Sequence, residues 1–225
     1  MNRRHRAVPT PRHASTKKDA LTVDIHAHFF PEGYLRLIEQ EGESAGIALR
    51  RGSSGAVSIT AGVATFGPLG PAFYDPEIRL KRMDKQKVGM QALSLTAPMT
   101  YPAAGTLGVK LARVWNDAAA ELAHARPDRF VVLATLPMQD PQSAVGELER
   151  AITRLGCRGV YLGTNVQGKE LTDPAFLPVF ERIDTLKVPV FLHPLDVIGA
   201  QRLAGYHLHN LLGNPFDTTV AAANM

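Results

Sequence analysis

The sequence is short of cysteine, of tryptophan and of long apolar runs, and each shortage closes off a class of protein. A single cysteine, Cys157, cannot form an internal disulfide, and no second thiol stands near it for a zinc knuckle or a redox pair. It is expected to be a small buried or loop side chain. No apolar run approaches the roughly 18 residues that a membrane-crossing helix needs. The first twenty residues are basic but lead into no apolar stretch, so a secretory signal is not indicated and a cytoplasmic location is expected. There is no fixed-period repeat and no Gly-rich phosphate loop between a strand and a helix, so a nucleotide cofactor is not indicated.

Acidic residues are also missing from one place. Residues 1–18 hold Arg3, Arg4, Arg6, Arg12, Lys17 and Lys18 and no acid. Without those six, 19 basic residues face 21 acidic ones, so the net +4 of the 225-residue chain belongs to the leader and the remainder is slightly acidic. Nucleic acid is therefore not an expected partner. Residues 1–20 read as a disordered basic leader. The 45% hydrophobic and 20% charged composition suits a folded core in the rest.

From Leu21 onward, short β-rich runs alternate with longer amphipathic runs, the pattern of parallel strands joined by helices. Five strands are expected, at Leu21–Ile25, Met90–Thr96, Phe130–Leu136, Gly159–Leu162 and Val188–Leu192. Each is apolar on both faces, as in a sheet covered on both sides. Asp75-Pro76, Asp140-Pro141, Asp173-Pro174 and Asn214-Pro215 each place a capping side chain before a proline at the first helical position. Val145, Leu148, Ile152 and Leu155 recur at helical spacing, and Gly156 is expected to end that helix. Between residues 41 and 71 the rhythm breaks into short β-like runs, Ile47–Leu49, Val57–Thr60 and Val63–Phe66, which read as a small β insertion after the first strand.

The first strand runs into Asp24-Ile25-His26-Ala27-His28. Side chains at i and i+2 of a strand share a face, so His26 and His28 can converge beyond its carboxyl end, the end at which α/β folds place their sites. Two neutral imidazoles suit zinc and several other divalent ions. His193 closes the fifth strand and would reach the same rim. Tyr161–Asn165, at the end of the fourth strand, offers no lysine or carboxylate to bridge two ions, so a single metal follows. A second HxH, His207-Leu208-His209, lies in a stretch that looks helical, where i and i+2 diverge, and these two are expected to be surface or packing residues.

The Asp24–Pro31 segment, Asp75–Arg79 with Met83-Asp84, Asn116-Asp117, Pro127–Phe130, Thr135–Gln139, Gly159–Thr164, Leu192-His193-Pro194 and Gly213–Thr219 together resemble the aminocarboxymuconate-semialdehyde decarboxylase family, a branch of the amidohydrolase superfamily. The resemblance covers nearly everything from Leu21 onward. It implies an α/β (β/α)8 TIM barrel with one divalent metal, the small β insertion, and non-oxidative loss of carbon dioxide from an unsaturated or aromatic carboxylic acid. It assigns His26, His28 and His193 to the metal. Zinc is the first expectation, with manganese, cobalt and iron as alternatives. The family's acid/base histidine, after the sixth strand, and its metal-binding aspartate, after the eighth, would lie beyond residue 225. The chain is thus expected to be a C-terminally incomplete barrel of about five of eight units, inactive alone, with homodimerisation open for a full-length form.

Two features depart from the family pattern. Val63–Pro71 holds no arginine or lysine where the muconate-semialdehyde enzymes clamp a substrate carboxylate, and Leu195 stands where they have tryptophan. The substrate-binding residues stay unassigned. A hydrolase of the same superfamily, acting on a lactone or amide, could use the same three histidines, and a non-catalytic metal- or partner-binding fragment is the third reading.

Overall fold

The computed structural model describes residues 21–52, 55–62, 64–197 and 199–225; the basic leader and Val63 lie outside them. The central sheet has five parallel strands: β1 (Val23–His28), β5 (Met90–Ser94), β6 (Phe130–Ala134), β7 (Gly159–Gly163) and β10 (Val190–His193), hydrogen-bonded in that order. Each expected strand is present, with no end moved by more than three residues. The largest change is at β1, which carries the HxH pair within the strand rather than beyond it.

Helices join the strands: α2 (Pro76–Gln86) leads into β5, α3 (Gly105–Ala125) into β6, α4 (Pro141–Thr153) into β7 and α5 (Leu177–Leu186) into β10. The three expected aspartate caps form. Asp75 accepts from the backbone N–H of Glu77 and Ile78, Asp140 from Ser143, and Asp173 from Ala175. Gly156, at φ +72°, turns the chain after α4. Asn214 departs from expectation. It has helical φ and ψ and makes no capping bond, because a π-turn at His209–Gly213 runs directly into α6 (Asn214–Asn224) and there is no free helix start to cap.

The sheet is not flat. Four strand spacings of about 4.8 Å would hold the outermost strands of a flat sheet about 19 Å apart, yet the rings of His26 on β1 and His193 on β10 have centroids 5.2 Å apart. The sheet is curled into a half-barrel. Its inner strands β5, β6 and β7 are almost wholly buried, whereas β1 and β10, at the two edges, are partly exposed.

After β1 comes α1 (Glu32–Glu41), then the insertion, an antiparallel sheet of β2 (Ile47–Arg51), β3 (Val57–Ala61) and β4 (Ala64–Leu69). Ile47, Val57, Ile59 and Leu69 seat it on the main core. A short hairpin, β8 (Asn165–Val166) with β9 (Lys169–Glu170), follows β7. Cys157 is buried as expected, and burial pushes its thiol up to about 12, so it packs as a small apolar group.

A buried polar network ties α3, β6 and α4 together. Asn116 Nδ2 donates to Thr135 O at 2.9 Å and to Glu147 Oε1 at 2.7 Å, and its Oδ1 accepts from Thr135 N at 2.9 Å. Glu147, itself buried, is answered by Arg150 at 2.8 Å. Replacing Asn116 with alanine leaves the Thr135 N–H and carbonyl unpaired in the core and removes one of the bonds to Glu147, which keeps Arg150. We predict a loss of about 2–4 kcal/mol of unfolding free energy, read by denaturant unfolding; a change below about 0.5 kcal/mol would contradict the role given to the network.

Candidate functional site

The HxH pair sits on an irregular piece of β1. Asp24 faces Gln91 and Ala27 faces Leu93, so one extra residue is accommodated between them. The bulge is held by side chains. Asp24 Oδ1 accepts from the His26 backbone N–H at 3.0 Å, Asp24 Oδ2 accepts from Gln91 Nε2 at 3.0 Å, and Gln91 Oε1 accepts from Arg79 at 2.9 Å. Arg79 also donates to the backbone carbonyl of His28. Burial pulls the Arg79 guanidinium down to about 10, with Asp24 opposing, so it stays charged at neutral pH. Its guanidinium lies 5.5 Å from the Phe29 ring centroid, over that ring. From the outside, Trp115 Nε1 donates to Phe29 O at 2.8 Å.

Within this frame the three expected histidines meet. One ring nitrogen from each of His26, His28 and His193 can be chosen so that all lie within 4.8 Å of one another. His26 Nε2 and His28 Nε2 are 2.9 Å apart. Two nitrogens each about 2.1 Å from a shared ion are about 3.0 Å apart at a right angle and about 3.4 Å apart at the tetrahedral angle, so this pair lies close to ligand spacing. The far side of each partly buried ring is engaged. His28 Nδ1 is 3.1 Å from Ser94 Oγ, and His193 Nδ1 donates to Pro194 O at 2.9 Å, which leaves Nε2 of His193 with its lone pair. Burial, reinforced by the neighbouring imidazoles, lowers His28 to about 3 and His193 to about 4. Both are neutral donors at pH 7, and the set could hold a divalent ion.

Beneath them Tyr161 stacks on Phe191 at 5.2 Å between ring centroids and lies 5.4 Å from His193 and 5.9 Å from His28. A cavity of about 260 Å³ lined by Asp24, His26, His28, Phe73, Arg79 and Arg82 opens beside the pair. The second HxH is elsewhere. His207 is exposed in a turn at φ +57°, and His209 starts the π-turn, so the stretch expected to be one helix is a turn followed by a π-turn.

Sequence reasoning missed Ser94, Gln91 and Arg79. The first two had a visible signal, being polar residues in the otherwise apolar run Met90–Leu95. Arg79 lies in a segment that carries the family resemblance, but one arginine on a charged helix reads as solvent-exposed until its burial is known.

The neutral, buried state of His28 and His193 makes metal-free stability pH-dependent. Their folded pKa values lie below the ordinary value of 6.5, so between pH 6.5 and 4 the unfolded chain takes up protons that the folded chain refuses. The metal-free protein should therefore lose stability as pH falls through that window. A His28→Asn, His193→Asn double variant should show a shallower loss in parallel denaturant titrations; identical slopes would contradict the assignment.

Comparison with known proteins follows the same outline. The family model described as Amidohydrolase matches residues 23–218. The 2-amino-3-carboxymuconate-6-semialdehyde decarboxylase of Dictyostelium discoideum is 33% identical over 207 residues, covering 92% of this chain and 58% of that protein. The chain thus spans a little over half the length of that relative. Among solved structures, a dihydroxybenzoic acid decarboxylase from Polaromonas sp. JS666, with bound manganese and the inhibitor 2-nitroresorcinol, is 25% identical with a TM-score of 0.67, covering 90% of this chain and 60% of that one. The IDCase of Metarhizium anisopliae in apo form shares the fold, with a TM-score of 0.79 at 23% identity over 92% of this chain and 61% of that one. The matched span starts at the strand that carries the HxH pair and ends in the helix after His193, and over that span the chain belongs to the amidohydrolase family.

Proposed function

We propose that this chain carries the metal-binding half of a non-oxidative carboxy-lyase acting on an aromatic or unsaturated carboxylic acid, with His26, His28 and His193 as ligands of one divalent ion. The observation that supports it best is the convergence of three imidazoles from opposite edges of a curled sheet, two of them kept neutral and turned by Ser94 and Pro194. The names of the Dictyostelium and Polaromonas relatives supply the reaction class. Zinc is the ion proposed from the imidazole set; manganese, bound in the Polaromonas relative, cobalt and iron suit the same donors.

An ion held there supplies a positive charge able to polarise a carboxylate or ring hydroxyl oxygen. The protein's part is to place and keep the donors. Ser94 and the Pro194 carbonyl fix the ring orientations of His28 and His193, and the Asp24–Gln91–Arg79 chain fixes the backbone that presents His26. The Tyr161–Phe191 stack forms an aromatic floor beneath the rings, with Tyr161 wholly buried and Phe191 half-buried. In the reaction the bond to the carboxylate breaks with its electron pair left on carbon, and a proton takes the place of carbon dioxide. No oxidant is needed. Among residues 21–225 no group is assigned as the proton donor. A small carboxylic acid as partner, a cytoplasmic location and a homodimer go with this reading.

Metal content measured by mass spectrometry should fall in both His26→Ala and His193→Ala, and Ser94→Ala should weaken metal affinity about tenfold. Unchanged stoichiometry in both histidine variants would remove the metal assignment. The reaction class is decided by supplying a metal-loaded form that spans the full length of the Dictyostelium relative with 2,6-dihydroxybenzoate and with an aryl lactone. Carbon dioxide release supports the lyase, and lactone opening without carbon dioxide release supports a hydrolase.

A further inference from the structure

A second cavity, of about 260 Å³, lies between the insertion and the barrel rim. Ala61, Ala64 and Phe66 of the β3–β4 hairpin line one side; Pro98, Tyr101 and Leu195 line the other. It adjoins the histidine site through its own wall. Leu195 follows His193 by two residues. Gly163 stands opposite His193 in the β7–β10 register, and the Leu195 and Tyr101 side chains both come within 3.0 Å of where a Cβ on Gly163 would be. The Gly163 backbone N–H donates to Tyr101 Oη at 3.1 Å, which fixes that wall to the strand beside His193.

Resting on the function proposed above, we infer that this cavity is a side pocket of the site, and that it receives the second ring or bulky apolar substituent of an aromatic monocarboxylic acid whose carboxylate lies at the histidines. The lining contains no lysine or arginine among the described residues, and its one side-chain amide, Gln167, already donates to Tyr101 O at 2.7 Å, so no cation there compensates a buried carboxylate. Its one formal charge, Asp196, has the sign that repels a second carboxylate. An apolar cavity of about 150 Å³ is enough to bind benzene, so the space here admits a fused ring. Leu195 and Ala64 line it from the barrel side and the insertion side.

The test compares salicylate with 3-hydroxy-2-naphthoate, which differs by one fused ring, by calorimetric titration of the zinc-loaded chain. Burying the added ring should make the naphthoate bind about tenfold tighter or more. Leu195→Trp and Ala64→Phe each fill the cavity, from opposite sides, so that one core substitution that unfolds the chain leaves the other to report. Each should abolish the naphthoate preference while changing salicylate affinity by less than about threefold. A wild-type protein that binds salicylate as tightly as naphthoate, or filled variants that keep the preference, overturns the pocket. The two readings fail separately. Salicylate binding that does not depend on added zinc counts against the metal reading, whereas zinc-dependent salicylate binding without a naphthoate preference counts against the pocket alone.

Discussion

Curvature of the five-stranded sheet is the constraint on which everything else depends. His26 and His193 belong to strands at opposite edges, and only a curled sheet brings their rings within 5.2 Å. The curl is sustained by packing on both faces. The inner strands are covered by helices outside, against which Leu93 packs, and by Leu133, Tyr161 and other side chains within. Site geometry is therefore a property of the whole core rather than of a loop, and core changes far from the histidines should be felt at their spacing.

Polar groups refine what apolar packing sets up. Two networks, buried or half-buried, carry charge. Asp24, Gln91 and Arg79 lock the bulge of β1, and Asn116, Glu147 and Arg150 lock the helices behind β6. Each pairs a carboxylate with a guanidinium through, or alongside, an amide, so lone pairs and protons are answered together. Networks of this kind are costly when half-satisfied and rigid when complete. The first fixes where His26 and His28 begin, and the second fixes the strand against which β7 and then β10 are laid.

The strand rhythm and the three histidines could be read in the sequence because both rest on local periodicity: apolar runs of strand length, aspartate-proline starts, and an i, i+2 pair. What could not be read depends on partners distant in the chain. The bulge between Asp24 and Ala27 exists because Gln91 and Arg79, more than 50 residues later, engage Asp24 and the His28 carbonyl. Ser94 acquires its role only through register with His28. Asn214-Pro215 misleads for a similar reason. The dipeptide has the form of a helix start, but the preceding π-turn delivers the chain already helical. Leu195 was visible as a departure from a family pattern, but the cavity that it borders depends on the insertion folding back over the rim.

The single tryptophan has a further use. Trp115 is wholly buried, and its indole N–H is bonded to Phe29, the residue immediately after His28. Indole emission responds to the polarity and hydrogen bonding around the ring, and no second indole dilutes the signal. The chain thus contains its own optical reporter, one covalent step from the HxH pair. Movement of that strand end, whether by unfolding, by ion uptake or by ligand entry, can be followed by intrinsic fluorescence without a label.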